Sequence, residues 1–128
     1  MLSNPYQKYQ QNQVETASPA KLLLMLYNGA LRFVKAAREG IREKDMEKAN
    51  HNIGKAQDIV VELMTSLDME QGEISRNLYS LYDFVNTRLL EANIKKDENI
   101  LSEAENILQE LRDTWQEASL TDSKEEEN

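Results

Sequence analysis

Apolar residues recur along this chain at three- and four-residue steps in four successive stretches, each bounded by a residue suited to start or stop a helix. The first, TASPAKLLLMLYNGALRFVKAA, spans residues 16–37. Ser18 is placed to cap it, and Pro19 takes the first helical position, where a missing amide donor and a fixed φ do no harm. At about 100° per residue, Leu22, Leu23, Leu26, Tyr27, Ala30, Phe33, Val34, Ala37 and Ile41 make one broad side, and Leu24, Met25 and Leu31 spill past its edges. This helix is expected from about Pro19 to Lys44. Asp45 then offers an N-cap for a second, marked by Met46, Ala49, Ile53, Ala56, Ile59, Val60, Leu63, Met64 and Leu67. Gly72 punctuates the chain before a third stripe of Ile74, Leu78, Leu81, Tyr82, Val85, Leu89 and Ala92, which ends near Lys95 and Lys96, cations that suit a helix C-terminus. Asp97 caps the fourth, whose Ile100, Leu101, Ala104, Ile107, Leu108, Leu111, Trp115 and Ala118 form a single tidy stripe.

Four such helices joined by short connections turn back on one another, so the expected fold is all-α, an antiparallel up-down-up-down four-helix bundle over residues 18–118. A long coiled coil would need strict heptads with little apolar surface elsewhere, whereas the first helix is apolar over roughly 200°. A polar N-terminal arm, residues 1–17, precedes the bundle and packs on it in this reading. The stretch SLTDSKEEEN, residues 119–128, lacks periodicity and reads as a disordered acidic tail.

Composition agrees with helices over sheets, with four Gly and two Pro in 128 residues and 40% hydrophobic side chains. The formal charge of -8, with 23 acidic against 15 basic residues, argues against a nucleic-acid partner, because phosphate binding runs on clustered Lys and Arg. No cysteine is present, which fits a reducing compartment, so the cytoplasm is the expected location. The longest unbroken apolar run, LLLML, is far short of the ~20 residues a membrane span needs, so no membrane insertion is expected.

The stripes differ in width. The fourth stays within roughly 120°, the first two spread over roughly 200°, and the third carries Tyr79, Phe84, Leu90 and Ile94 away from its main line. Two readings follow. Either the core is irregular and absorbs the surplus, or apolar surface stays open between helices as a groove for an amphipathic helix of another protein. Each large apolar side chain kept out of the core forgoes ~1.5 to 3 kcal/mol, so an empty groove calls for a cover. The arm MLSNPYQKYQQNQVE is suited to that part, since Asn4-Pro5 starts a short helix with Tyr6 and Tyr9 on one side; permanent docking of the arm is the alternative.

Catalytic chemistry finds little footing, and no enzyme activity, metal or cofactor is expected. A carboxylate-bridged di-iron bundle needs Glu-x-x-His on two helices, but the one histidine, His51, sits on the polar side of the second helix with Lys48 where the Glu should be. There is no Gly-rich phosphate loop and no cysteine nucleophile. Asp83 and Asn86 read either as polar anchors at a groove edge or as plain helix-surface positions.

NPYQKYQQNQVETASPAKLLLMLYNGALRFVKAA, then LYDFVNTRLLEANIKKD and RDTWQEA, resemble the FliS family of flagellar secretion chaperones. The likeness runs from Asn4 to about Ser119, and it rests on the paired tyrosines before a TASP-type cap, the MLYxGA core of the first helix and the LYDF…LLEAN run of the third. Asn28 departs from the pattern, which more often has Asp there. The resemblance implies a cytoplasmic export chaperone that binds the C-terminal segment of flagellin, prevents premature polymerisation and supports delivery to the flagellar export apparatus. It also implies that the arm covers the binding surface until the client arrives. The groove residues expected on this reading are Leu24, Met25 and Leu31 on the first helix, Ile59 and Leu63 on the second, and Tyr79, Tyr82, Leu90 and Ile94 on the third, with Tyr6 and Tyr9 as the occluding pair. A regulatory adaptor for another flagellar protein, such as an anti-sigma factor, is the alternative function, and a homodimer through the uncovered surface is an alternative state of the empty protein.

Overall fold

A computed structural model describes residues 18–127, which form four α-helices and one short 3-10 turn. Helix α1 runs Pro19–Arg42, and Ser18 Oγ accepts from the Lys21 amide at its start. Glu43 and Lys44 then reverse the chain, Lys44 taking a left-handed φ of 61°. Asp45 caps α2, Met46–Thr65, by accepting from the Lys48 amide. Asp68 caps the 3-10 turn Met69–Gln71, and Gly72 follows at φ 78°, a conformation glycine adopts without steric cost. Helix α3 spans Glu73–Lys95 and stops at Lys96, again left-handed. Asp97 Oδ1 then accepts from the amides of Asn99 and Ile100 to open α4, Glu98–Glu127.

Three features therefore follow the sequence: Ser18, Asp45 and Asp97 each satisfy orphan amides where a helix begins. The fourth helix does not stop at Ser119, where the tail was expected to lose structure. It continues to Glu127, and the residues that carry it on, free of Gly and Pro and rich in Glu, raise no barrier to helix propagation. The expected arm, residues 1–17, lies outside the described residues.

The helices close a ring in which α1 packs on α2 and α4, and α3 packs on α2 and α4. Short connections make each neighbour antiparallel, which is the four-helix bundle expected from the periodicity. Its core is a column of alternating large and small side chains: Tyr27, Ala30, Val34 and Ala37 from α1, Ile53, Ala56, Val60 and Leu63 from α2, Tyr82, Val85, Leu89 and Ala92 from α3, and Leu101, Ala104 and Leu108 from α4. Small residues let α1 and α2 approach most closely. A Cβ at Gly40 would lie 2.7 Å from the Ala49 backbone nitrogen, and one at Gly29 would lie 3.2 Å from Ile59 Cδ1. Glycine at Gly40 is thus required by packing, although its place inside a helix costs about 1 kcal/mol relative to alanine.

The surplus of apolar surface is real on α3, where Tyr79, Phe84, Leu90 and Ile94 stay exposed off the main stripe, but the breadth of α1 is absorbed. On α1, Leu22, Leu23, Leu24, Met25 and Leu26 are all at least partly covered. The large exposed apolar residues are Met46 and Val61 on α2, Met69 in the turn, Ile74, Tyr79, Phe84, Leu90 and Ile94 on α3, and Leu120 on α4. Ile74, read as part of the buried stripe, is 70% exposed, because it lies in the first turn of α3, at the edge of what the neighbouring helices cover.

Candidate partner-binding face

Which flank of each helix meets which neighbour can be worked out from polar contacts. Lys96 Nζ donates to Asn50 Oδ1 and to Asn93 Oδ1, so Asn50 of α2 and Asn93 of α3 mark the seam between those two helices. Val61 lies eleven residues beyond Asn50, on the same flank of α2 at about 100° per residue. Tyr79 and Asn86 precede Asn93 by two and one seven-residue steps, and Leu90 sits one turn from Asn86. The other flank of α3 is claimed by α4 through Arg88, which donates to Glu103 Oε2.

The exposed apolar residues Val61, Tyr79, Leu90 and Ile94 thus gather along one side of the bundle, the outer edge of the α2/α3 seam. Asp83 is exposed on the same face of α3. Asn86 is half-buried there, and its Oδ1 is buried with no hydrogen-bond partner.

A second feature lies at the end of the bundle where α1 begins. A cleft of about 290 Å³ opens between Leu23, Leu67, Ile74, Leu78, Tyr82 and Trp115, joined by polar groups of the α2–α3 turn. Behind it the phenol hydroxyls of Tyr27 and Tyr82 share a hydrogen bond, with ring centroids 6.4 Å apart. The pairing joins α1 to α3 across the core and satisfies two polar groups that would be costly alone in an apolar interior. Burial, reinforced by the Tyr82 hydroxyl, pushes the Tyr27 phenol well above its ordinary value, while Trp115 acts weakly the other way. Tyr82 is also raised by burial, with the Tyr27 hydrogen bond opposing. Both therefore stay neutral and hold their shared bond across the physiological range.

Of the residues expected to line a groove, Tyr79, Leu90 and Ile94 are exposed on one face. Leu24, Met25 and Ile59 are half-buried at the margins of α1 and α2. Leu31, Leu63 and Tyr82 are corrected to the interior, at 6%, 0% and 1% exposure: Leu63 and Tyr82 stand on the main stripes that face the core, and a packed neighbour lies over Leu31 at the margin of α1. Tyr6 and Tyr9 lie outside the described residues. Val61 and Gly54, which the sequence did not single out, lie on the same flank, Val61 exposed and Gly54 half-buried; the signal for them was their spacing of four and eleven residues from Asn50.

Asn28 keeps a polar contact despite departing from the family pattern, since its Oδ1 accepts from Arg112 Nε at 2.7 Å. His51 is exposed. Among the described residues no three His, Cys, Asp or Glu side chains gather as metal ligands, and no helix is long and apolar enough to cross a membrane.

By architecture the protein is an all-α four-helix bundle, and the structural comparison agrees: it matches a solved bacterial flagellar chaperone with a TM-score of 0.75, covering 91% of this chain and 95% of that one at 20% identity. The sequence comparisons are more specific. The family model described as Flagellar protein FliS matches residues 2–122. The flagellar secretion chaperone FliS of Bacillus subtilis (strain 168) is 43% identical over 123 residues, covering 96% of this chain and 92% of the relative. That of Salmonella typhimurium is 34% identical over 111 residues, covering 85% and 82%. The chain belongs to the FliS family of flagellar secretion chaperones. A chaperone family is a class of binding proteins and not of enzymes.

Proposed function

We propose that this chain is a cytoplasmic export chaperone that binds the disordered C-terminal segment of flagellin, keeps it from polymerising early and supports its delivery to the flagellar export apparatus. The observation that carries this reading is the apolar face of Val61, Tyr79, Leu90 and Ile94, four large side chains on one edge of an otherwise well-packed bundle. A bundle of this size has core positions enough, so exposed side chains in a row point to a partner that covers them. A helix laid in an apolar seam is the packing such a row offers.

Ordering a disordered client costs about 2 to 5 kcal/mol or more, which demands a wide contact surface. No nucleotide is required by this scheme, because release follows from competition at the export apparatus.

Mixing the full chain with a peptide of the flagellin C-terminus and following circular dichroism tests the proposal. Helical signal beyond the sum of the separate spectra is the expected result. Spectra that merely add, with no binding by calorimetry, refute it.

A further inference from the structure

Helices α2 and α3 are joined by the chain at one end of their seam, through residues 66–72, and by a side chain at the other. At that far end α3 stops at Lys96, whose backbone is left-handed at φ 51° and ψ 44°. Glycine is the usual residue at such a stop, because a Cβ is crowded there. A lysine in its place carries a backbone cost that contacts of its side chain can offset. Lys96 Nζ donates to Asn50 Oδ1 on α2 at 2.5 Å, and to Asn93 O and Asn93 Oδ1 on α3 at 2.6 and 2.7 Å. An ammonium has three N–H donors, and all three are used.

Two other lysines show which feature of Lys96 matters. Lys44 shares its left-handed backbone, and it is exposed at the reversal between α1 and α2. Lys95 shares its charge and its place beside the C-terminal carbonyls of α3, and it pairs with Glu91 inside the same helix. Of the three, among the described residues, the Lys96 ammonium alone joins two helices. The segment it fastens is the one that carries Leu90 and Ile94, at 50% and 74% exposure, in the last two turns of α3.

We propose that Lys96 is a clasp: its ammonium pins the end of α3 to the start of α2, and so holds Leu90 and Ile94 in place as an edge for the client. The link to a client rests on the chaperone reading above, whereas the clasp itself acts in the free chain. Helix ends fray, and an apolar row on a fraying end must be ordered before a partner can cover it. A row that is already pinned loses less freedom on binding.

Hydrogen exchange of the full chain reads the clasp without a client. Lys96→Met keeps an apolar stem and removes the donors; amides of residues 50–54 and 90–95 should exchange about 3- to 10-fold faster, while those along the α1/α4 seam keep their rates. Lys95→Met should change these rates by less than about 2-fold, as expected for an exposed pair within one helix. Because the chain has no cysteine, Lys96→Cys can be alkylated at that one position. Treatment with 2-bromoethylamine puts an ammonium back at the same reach and should restore slow exchange, whereas 1-iodopropane, which adds an apolar stem of the same length, should not. Calorimetry with the flagellin C-terminal peptide then reads the consequence: Lys96→Met should bind about 3- to 10-fold more weakly, and the aminoethylated cysteine like wild type. Exchange in Lys96→Met no faster than in Lys95→Met overturns the clasp. Faster exchange with undiminished peptide binding overturns its role at the client edge. If the wild-type chain binds no peptide while Lys96→Met still exchanges faster at the seam end, the chaperone reading has failed and the clasp stands.

Discussion

The α1/α4 seam and the α2/α3 seam lie on opposite sides of one ring of helices, and they are finished differently. Across α1/α4, Arg38 donates to both oxygens of Glu105 and to Ser102, Arg42 donates to Glu98, and Arg112 donates to Asn28. Long arginine stems lie over the apolar edge while their guanidinium groups stay paired at the surface. Across α2/α3 the described residues offer a single such tie, from Lys96 at one end. The rest of that edge is left to Val61, Tyr79 and Leu90. The two seams share the same column of buried side chains, so the open face reflects which residues stand at the rim and not a shortage of core. A bundle can thus hold a binding surface without a looser interior: it omits the side chains that would otherwise seal one edge.

The sharpest way to break this contrast uses two adjacent leucines. Leu89 is fully buried and Leu90 is half exposed, although they are neighbours on α3. Leu89→Asp places a carboxylate in the apolar column at a cost above about 4 kcal/mol, a large share of the 5 to 15 kcal/mol of a typical domain, so the variant should lose its helical signal near room temperature. Leu90→Asp should melt within a few degrees of wild type and yet lose the flagellin peptide. Equal unfolding by both changes would show that Leu90 is a core residue and that the α2/α3 edge is closed.

A smaller effect separates two glycines. At Gly40 a new Cβ would meet the Ala49 nitrogen at 2.7 Å and the Asp45 oxygen at 3.1 Å, both backbone atoms that cannot swing aside. Gly40→Ala should therefore cost about 1 to 3 kcal/mol as α1 and α2 are pushed apart. Gly54→Ala meets open space and should gain about 0.5 to 1 kcal/mol from helix propensity. Urea denaturation of the two variants reads the difference, and a loss at Gly54 as large as at Gly40 would mean that the space beside Gly54 is filled.

The division between what the sequence disclosed and what it did not follows from the range of each interaction. Helix starts are local: Ser18, Asp45 and Asp97 act on amides two or three residues away, so their role is visible in the string of residues. Periodicity then assigns the central line of each helix, and the core residues Val34, Ile53, Val85 and Leu108 lie where it put them. The margins depend on a neighbour that the helix's own pattern does not encode. Tyr82 stands in the main stripe of α3 and Tyr79 outside it, but that the Tyr82 hydroxyl is satisfied inside the core by Tyr27, 55 residues earlier in the chain, shows only in three dimensions. Leu31, at the edge of the stripe of α1, is buried because its cover comes from another helix. Asn86 could be suspected of lying at a groove edge, but its missing donor is a fact of three dimensions.

Two arginines sharpen the contrast from the sealed side. The side chains of Arg38 and Glu105 are 16% and 19% exposed and meet at 2.7 Å, and the bond to Glu105 raises the already high pKa of the guanidinium, against the opposing pull of burial. Arg38→Ala leaves Glu105 in a partly dry seam without its partner and should cost about 1 to 3 kcal/mol, in the range for losing a charged hydrogen-bond partner. Arg42, 65% exposed beside Glu98, is well screened, and its removal should cost no more than about 1 kcal/mol. Denaturation in low and high salt separates the two, since the exposed pair weakens with ionic strength while the enclosed one changes little. Peptide binding should survive in both variants, because neither arginine borders Val61, Tyr79 or Leu90. Were Arg38→Ala to weaken capture as much as Leu90→Asp does, the client would have to reach across to the α1/α4 edge, and the two seams would be one continuous binding surface.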